Sequence, residues 1–127
     1  MNDFQLGNIR RQMLRALRQL GASACSVTRE ERDLNGMTIG VSSEVCRVYG
    51  LTYQQQSKTA NLLIDMPGVT VSDPSALRFT GVLLAGGTPQ AGDLLTTPEG
   101  SRRIIRYDER LGVISMALSD EMGGGRL

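Results

Sequence analysis

The chain has 127 residues, 40% of them apolar, and a formal net charge of +1, so it is predicted to form one domain, residues 1–127, with a modest core. The near-zero charge provides no overall attraction to nucleic acid or to an acidic membrane surface. The sequence has no histidine, which excludes a Ser-His-Asp or Cys-His nucleophile and a four-ligand zinc site of histidine and cysteine.

The first predicted element is an amphipathic helix over residues 3–20, which ends at Gly21. Arg11, Arg15 and Arg18 recur at helical spacing and form a basic stripe. Two interpretations of this stripe stay open, a solvated face and a surface that contacts a partner or DNA. The opposite face is apolar and consists of Leu6, Ile9, Met13, Ala16, Leu17 and Leu20.

The next segment, residues 23–53, is predicted to be a β-hairpin, because Asn35-Gly36 is a strong turn signal between two strand-like runs. The return strand is expected to be broken near Ser42–Ser43. Cys25 and Cys46 fall on the two partner strands, and we expect them to be buried free thiols. Two cysteines, no signal peptide and no apolar run of membrane-spanning length favour a reduced, cytoplasmic site of synthesis and no membrane.

Residues 54–76 are predicted to be a long excursion from the β core, with one strand or an extended arm inside it. The apolar run Ala60–Met66 has the length of a strand. Met66, Val69 and Val71 near the tip of the excursion are candidate partner contacts. The alternative is that these three side chains fold back onto the sheet.

The second half of the β core is predicted over residues 77–119, with tight turns at Pro98-Glu99-Gly100 and Asp108–Gly112. Residues 121–127 form a glycine-rich tail that we expect to be flexible. The fold class is therefore mainly β, a small β-barrel or sandwich with an N-terminal amphipathic helix and a long inserted loop. An OB-like barrel is compatible with the number of strands.

No cluster of residues in the sequence is typical of catalysis. Gly86-Gly87 lacks the Lys-Ser/Thr of a phosphate-binding loop, and the thirteen acidic residues lie mostly in turns or beside arginines. Glu30-Glu31 and Asp120-Glu121 would point to opposite faces of a strand, so neither is a ready metal pair. We therefore expect no enzyme activity, no catalytic residues, no cofactor and no metal site.

One long stretch, residues 92–120, carries a family resemblance. It contains Gly92-Asp93, the turn Pro98-Glu99-Gly100, Ile104-Ile105 and the alternating run Val113–Leu118, in that order. With the upstream Asn-Gly turn and a return strand ending in Val-Tyr-Gly, this pattern resembles the head–tail joining proteins of tailed bacteriophages, also called head-closure, stopper or connector proteins. The resemblance covers about a third of the chain well and another third loosely.

The resemblance implies a structural virion protein of the phage neck, made in the bacterial cytoplasm. Its copies would form a ring that joins the portal or an adaptor to a tail terminator or tail tube protein and helps to close the DNA channel. DNA in the lumen would be contacted without sequence specificity. Exposed strand edges would then pair with the neighbouring subunit. The N-terminal helix is longer than the family pattern, which leaves a portal adaptor or a tail-terminator role open.

Two other functions stay open from the residues alone. The first is a small nucleic-acid-binding β-barrel that uses the arginines of the helix. The second is a small enzyme with a carboxylate base, although the lack of histidine and of a glycine-rich phosphate site argues against it.

Overall fold

A computed structural model gives the fold of the chain, with an N-terminal helix, a short second helix and six strands. Two helices are present among the residues described, α1 (Asp3–Gln19) and α2 (Lys58–Leu63). The strands are β1 (Ser23–Arg32), β2 (Thr38–Tyr53), β3 (Leu77–Gly86), β4 (Leu94–Thr97), β5 (Gly100–Arg110) and β6 (Val113–Met122). The structure describes residues 3–32, 35, 38–54, 57–63, 66–69 and 77–122.

The six strands form a closed antiparallel barrel in the order β1-β2-β3-β6-β5-β4, and β4 pairs back onto β1. This confirms the mainly β class, resolves it as a barrel and confirms the N-terminal helix. Each strand has a hydrogen-bonded neighbour on both sides, several of them over only part of their length. The expected pairing of strand edges between subunits stays a prediction.

The barrel interior is filled by apolar side chains that alternate along the strands. Cys46 and Val48 of β2 point inward, whereas Tyr49 and Leu51, further along the strand, point outward. Alternating residues of a strand lie on opposite faces of the sheet. The inner cluster consists of Cys25, Val27, Cys46, Val48, Leu77, Phe79, Leu95, Ile104, Ile114, Met116 and Leu118.

A second apolar layer lies outside the barrel, on β2, β3 and β6. There α1 places Met13 and Leu17 against Val82 of β3 and Val113 of β6, and α2 adds Leu63. Residues 113–118 of β6 are buried on both faces of the sheet, which explains why their sequence is a nearly continuous run of apolar residues.

The connection between β2 and β3 differs from the prediction. The apolar run Ala60–Met66 was expected to be a strand, but Lys58–Leu63 is a helix, whose first turn is capped by the Ser57 hydroxyl accepting the Ala60 N–H at 3.1 Å. A run this short fits either element, and packing of Ala60 and Leu63 on the outer layer favours the helix. Residues 70–76 lie outside the described part, so the inserted loop is not established.

The long hairpin also differs in detail. β2 is continuous through Ser42–Ser43, where a break was expected. The hairpin instead has two register shifts. At the first, Val27 and Thr28 pair with Cys46 and Glu44 and leave Val45 as the extra residue, and the second lies between Glu30, which pairs with Ser42, and Arg32.

Candidate interaction surfaces

The described interior of the barrel is filled by its own side chains. An eight-stranded barrel is just wide enough for side chains or one small ligand, and a six-stranded barrel is narrower. Phe79, Met116 and Leu118 are among the inner side chains with an exposed fraction of 1% or less. Binding must therefore involve the ends of the barrel or its outer surface.

The two cysteines are free and buried, as the sequence predicts. Burial raises the pKa of both thiols to about 11, and for Cys46 the nearby carboxylates of Asp93 and Glu44 act in the same direction. The thiols therefore stay protonated at neutral pH, and neither is an activated nucleophile.

One end of the barrel, where residues 87–93 cross from β3 to β4, is closed by an ion pair; we call it the crossover end. Arg29 donates from Nε to Oδ1 of Asp93 at 2.8 Å and from Nη2 to Oδ2 at 2.9 Å. The Gln90 N–H donates to the same carboxylate at 3.0 Å. Asp93 is only 2% exposed, and its hydrogen bond raises the pKa of Arg29, so this pair is a fixed structural contact.

Tyr107 packs against the inner cluster, and its hydroxyl makes an exposed hydrogen bond. Its hydroxyl donates to Oε1 of Glu109 at 2.8 Å. Burial is the main cause that raises the pKa of Tyr107, and the hydrogen bond to Glu109 adds to it. The phenol is therefore neutral over the physiological range.

The opposite end contains two neighbouring cavities of about 280 and 290 Å³; we call it the cavity end. They share Thr52, Thr97 and Glu99, and the Thr52 hydroxyl donates to Oε1 of Glu99 at 3.3 Å between them. The first cavity has an apolar floor of inner-barrel residues and Arg102 at its rim, but Arg102 already donates to the Ser119 carbonyl at 3.0 Å.

Six acidic side chains whose surroundings the structure describes all have a partner. Four form ion pairs with arginine, and two accept a hydrogen bond from a hydroxyl. The ion pairs are Asp93–Arg29, Glu44–Arg47, Glu30–Arg103 and Asp108–Arg110, and the hydroxyl contacts are Glu99–Thr52 and Glu109–Tyr107. Within the described ranges no group of three or more cysteine and acidic side chains could hold a metal ion.

The predicted basic stripe lies on the outer face of α1. Arg11, Arg15 and Arg18 are all exposed, opposite the buried Met13 and Leu17. The Arg11 guanidinium donates from Nη2 to Oδ1 of Asn8, a neutral side-chain oxygen.

The charge on α1 is not compensated within the described part of the chain. Its fourth arginine, Arg10, donates to the Leu83 carbonyl at 3.0 Å, and none of the four forms an ion pair with a described carboxylate. Four arginines of the barrel, Arg29, Arg47, Arg103 and Arg110, do form such ion pairs, whereas the exposed Arg106 of β5 forms none with a described carboxylate. The helix α1 therefore carries four arginines without an ion pair to a described carboxylate.

The candidate contacts of the excursion have a different environment. Met66 and Val69 are partly buried and pack against the outer layer. The backbone at Gly68 lies close to β5 and β6, where an added Cβ would come within 2.5 Å of the Arg110 carbonyl oxygen. Val71 lies outside the described residues. Of the six candidate contacts, the three arginines therefore share one surface, whereas Met66 and Val69 belong to another.

Large exposed apolar side chains are a feature that the sequence interpretation missed. Phe4 at the start of α1 is 72% exposed, Leu62 of α2 is 62% exposed and Ile105 of β5 is 50% exposed. The sequence does contain a signal for the exposure of Phe4. Phe4 lies seven residues before Arg11 and therefore on the same side of a helix. Nothing in the local sequence signals the exposure of Ile105. It is the extra residue at a register shift, because Ile104 and Arg106 pair with the adjacent residues Leu118 and Ala117 of β6.

Comparisons of the chain with protein families, with curated proteins and with solved structures found no match. No helix in the described ranges has both the length and the apolar character needed to cross a membrane.

Proposed function

We propose that this chain is a structural protein of the neck of a tailed-bacteriophage virion. Its copies form a ring that joins the portal or an adaptor on the head side to the tail, and the ring helps to close the DNA channel. The motif that resembles head–tail joining proteins, residues 92–120, coincides with β4, β5 and β6, which are half of the barrel. The proposal rests on this resemblance and on the surface of the molecule.

The observation that carries the proposal is the exposure of Phe4. The chain has only two phenylalanines and no tryptophan, and one of the two phenylalanines is 72% exposed while the other fills the barrel. Aromatic side chains are enriched at the buried centres of protein interfaces. A chain so poor in aromatic residues that leaves Phe4 in solvent is well suited to bury it against another subunit.

The closed barrel determines which contacts are available to a ring. Because every strand of the closed barrel has a hydrogen-bonded neighbour on both sides, we expect subunits to join mainly through helices, turns and outer faces. Phe4 of α1 and Leu62 of α2 offer apolar anchors for such contacts. A ring requires a head-to-tail contact between two different patches of the subunit.

Native mass spectrometry and negative-stain imaging test ring formation, with the purified chain alone and mixed with the portal protein of the same phage. The isolated chain is expected to be monomeric or weakly associating, and rings are expected when the portal is present. Phe4→Ala should weaken the rings, whereas Gln12→Ala, an exposed polar change on the same helix, should not. A chain that stays monomeric under all these conditions would contradict the proposal.

The exposed arginines of α1 favour a second candidate, a small nucleic-acid-binding β-barrel protein. Such a protein would bind DNA as a monomer and would not need the portal.

Portal adaptor and tail-terminator roles also remain open within the neck, and the identity of the protein that binds the ring distinguishes them. An adaptor should bind the portal directly, and a tail terminator should bind the end of the tail tube.

A further inference from the structure

We infer that the outer face of α1 is a binding surface for the phosphate backbone of double-stranded DNA, so that this helix lines the channel of the ring. The inference rests on the proposed function for its setting, but its evidence is the distribution of charge. We call the surface the arginine face and define it by Arg11, Arg15 and Arg18, with Gln12 and Gln19 beside them.

The residues of the arginine face lie on one side of the helix. Spacings of four and three residues bring Arg11, Arg15 and Arg18 into one row, and Gln12 and Gln19 recur seven residues apart in the next row. All five side chains are exposed. Arg11 and Arg18 are separated by about 10 Å along the axis at a rise of about 1.5 Å per residue.

This length suits a DNA strand. Phosphates follow one another at about 3.4 Å of axial rise per strand, so the row spans about three of them. Long arginine side chains can each reach a separate phosphate, and glutamine side chains can add neutral hydrogen bonds to phosphate oxygens.

The absence of counter-charges on this face supports a polyanionic partner. Residues 4–22 contain no acidic side chain, and within the described ranges Arg15 and Arg18 have neither an ion pair nor a side-chain hydrogen bond. By contrast, the exposed Arg47 of the barrel is neutralised by Glu44 at 3.1 Å. The guanidinium groups of Arg15 and Arg18 are thus available for an external anion, and that of Arg11 contacts a neutral oxygen of Asn8.

DNA fits this face better than an acidic protein does. The centre of a protein interface is usually apolar, whereas the arginine face is polar over its length and has only Phe4 beyond one end. A surface that consists of hydrogen-bond donors and cations, with no groups placed to distinguish bases, matches backbone binding without sequence specificity.

The test measures binding of a labelled random-sequence DNA duplex to the full chain by fluorescence anisotropy over a range of salt concentrations. Three phosphate contacts predict a slope of about −2.7 in a plot of log K against log salt, which is about a 40-fold loss of affinity between about 50 and 200 mM salt. The dissociation constant of a single chain should lie at about 10⁻⁴ to 10⁻⁶ M, as for non-specific binding.

The triple variant Arg11→Gln, Arg15→Gln, Arg18→Gln should bind the duplex more than about tenfold more weakly at low salt and should lose most of the slope. Arg106→Gln is the control, because Arg106 is also exposed but lies on β5 and not on α1. Thermal unfolding monitors the fold of each variant. Equal binding by the triple variant and the wild type, or an equal loss in the Arg106 variant, would overturn the inference.

Two further readouts separate this inference from the proposed function. Polyglutamate that displaces the duplex at matched charge concentration would overturn the DNA assignment in favour of an acidic protein surface. Imaging of the same samples shows whether rings form. Rings without DNA binding would overturn only the inference, whereas DNA binding through the arginine face without rings would support it and contradict the neck function.

Discussion

Asp93 shows how a single buried carboxylate closes the crossover end of the barrel. It accepts two hydrogen bonds from Arg29 and one from the Gln90 N–H, so it joins β1 to the chain entering β4. These partners compensate the cost of burying a charge that is only 2% exposed.

Asp93→Ala should therefore destabilise the protein by about 1–3 kcal/mol, because the Gln90 N–H loses its buried acceptor and the contact to Arg29 is gone. Urea unfolding measures this change. Glu44→Gln, which breaks the exposed pair with Arg47, is the control and should cost at most about 1 kcal/mol. Equal effects of the two substitutions would contradict a structural role for the buried carboxylate.

Gly50 and Gly81 form the second residue-scale feature, since they face each other across β2 and β3. The ring of Phe79 occupies the space beside them: an added Cβ would lie 2.6 Å from the ring at Gly50 and 2.9 Å at Gly81. An added Cβ at Gly50 would also collide with the Thr80 carbonyl oxygen. The two glycines thus let the largest inner side chain fit inside a narrow barrel.

Gly50→Ala should cost at least about 1–3 kcal/mol in the free energy of unfolding, through overpacking against Phe79 and the backbone. Gly7→Ala on α1 is the control, because its Cβ would meet only the Arg11 side chain at 3.5 Å. That change should stabilise the helix by about 0.5–1 kcal/mol. Chemical denaturation of both variants measures the difference in the free energy of unfolding. An unchanged free energy for Gly50→Ala would show that the aromatic side chain of Phe79 is not confined by Gly50.

The buried thiols predict that the free energy of unfolding depends on pH in the alkaline range. The pKa of each is raised from 9.0 to about 11 in the folded protein, so folding favours the protonated form. Their contribution to stability is complete below about pH 9 and is lost as the pH rises through about 11. Unfolding free energies measured between about pH 8 and 11 should fall more steeply for the wild type than for a Cys25→Ala, Cys46→Ala variant. Parallel curves would contradict this assignment.

At the scale of elements, the outer layer depends on α1. Leu17 is fully buried between the helix and the sheet, and it packs in one cluster with Val82 of β3 and Val113 of β6. Leu17→Ala should destabilise the whole protein by about 2–5 kcal/mol, through lost burial and the cavity left behind. Gln12→Ala, on the exposed side, should change stability by no more than about 0.5 kcal/mol. Urea unfolding followed by circular dichroism measures both, and a small effect of Leu17→Ala would show that α1 is not part of the core.

Elements with a strong local pattern could be predicted from the sequence. The period of Leu6, Met13 and Leu17 predicts α1, and alternation along residues 46–53 predicts the faces of β2. Closure of the barrel could not be predicted, because β1 and β4 pair although they are more than 60 residues apart in the chain. The six-residue helix α2 was also missed, since a short apolar run fits a helix as well as a strand.

The candidate surfaces also depend partly on local sequence patterns and partly on tertiary contacts. The arginine row is a local pattern, so the sequence located Arg11, Arg15 and Arg18, and the structure places them on one exposed face. Whether an arginine is paired depends on tertiary contacts such as Arg29–Asp93, which joins residues 64 positions apart. The concentration of unpaired charge on α1 therefore becomes visible only in the folded chain.

At the scale of the whole molecule, the parts have separate roles. The closed and filled barrel is a rigid core, the ion pair of Arg29 and Asp93 closes one end, and the outer surface carries exposed apolar anchors and the arginine face. We propose that this combination serves assembly around DNA, with the apolar side chains joining subunits and the helix facing the channel.

The most direct test of the neck function is electron microscopy of phage particles made with and without this chain. On the proposed function, deletion of its gene from a phage genome should yield DNA-filled or emptied heads and separate tails, and supply of the wild-type chain should restore joined particles. The Phe4→Ala chain should restore fewer of them. Normally joined, tailed particles in the complete absence of the chain would contradict the account.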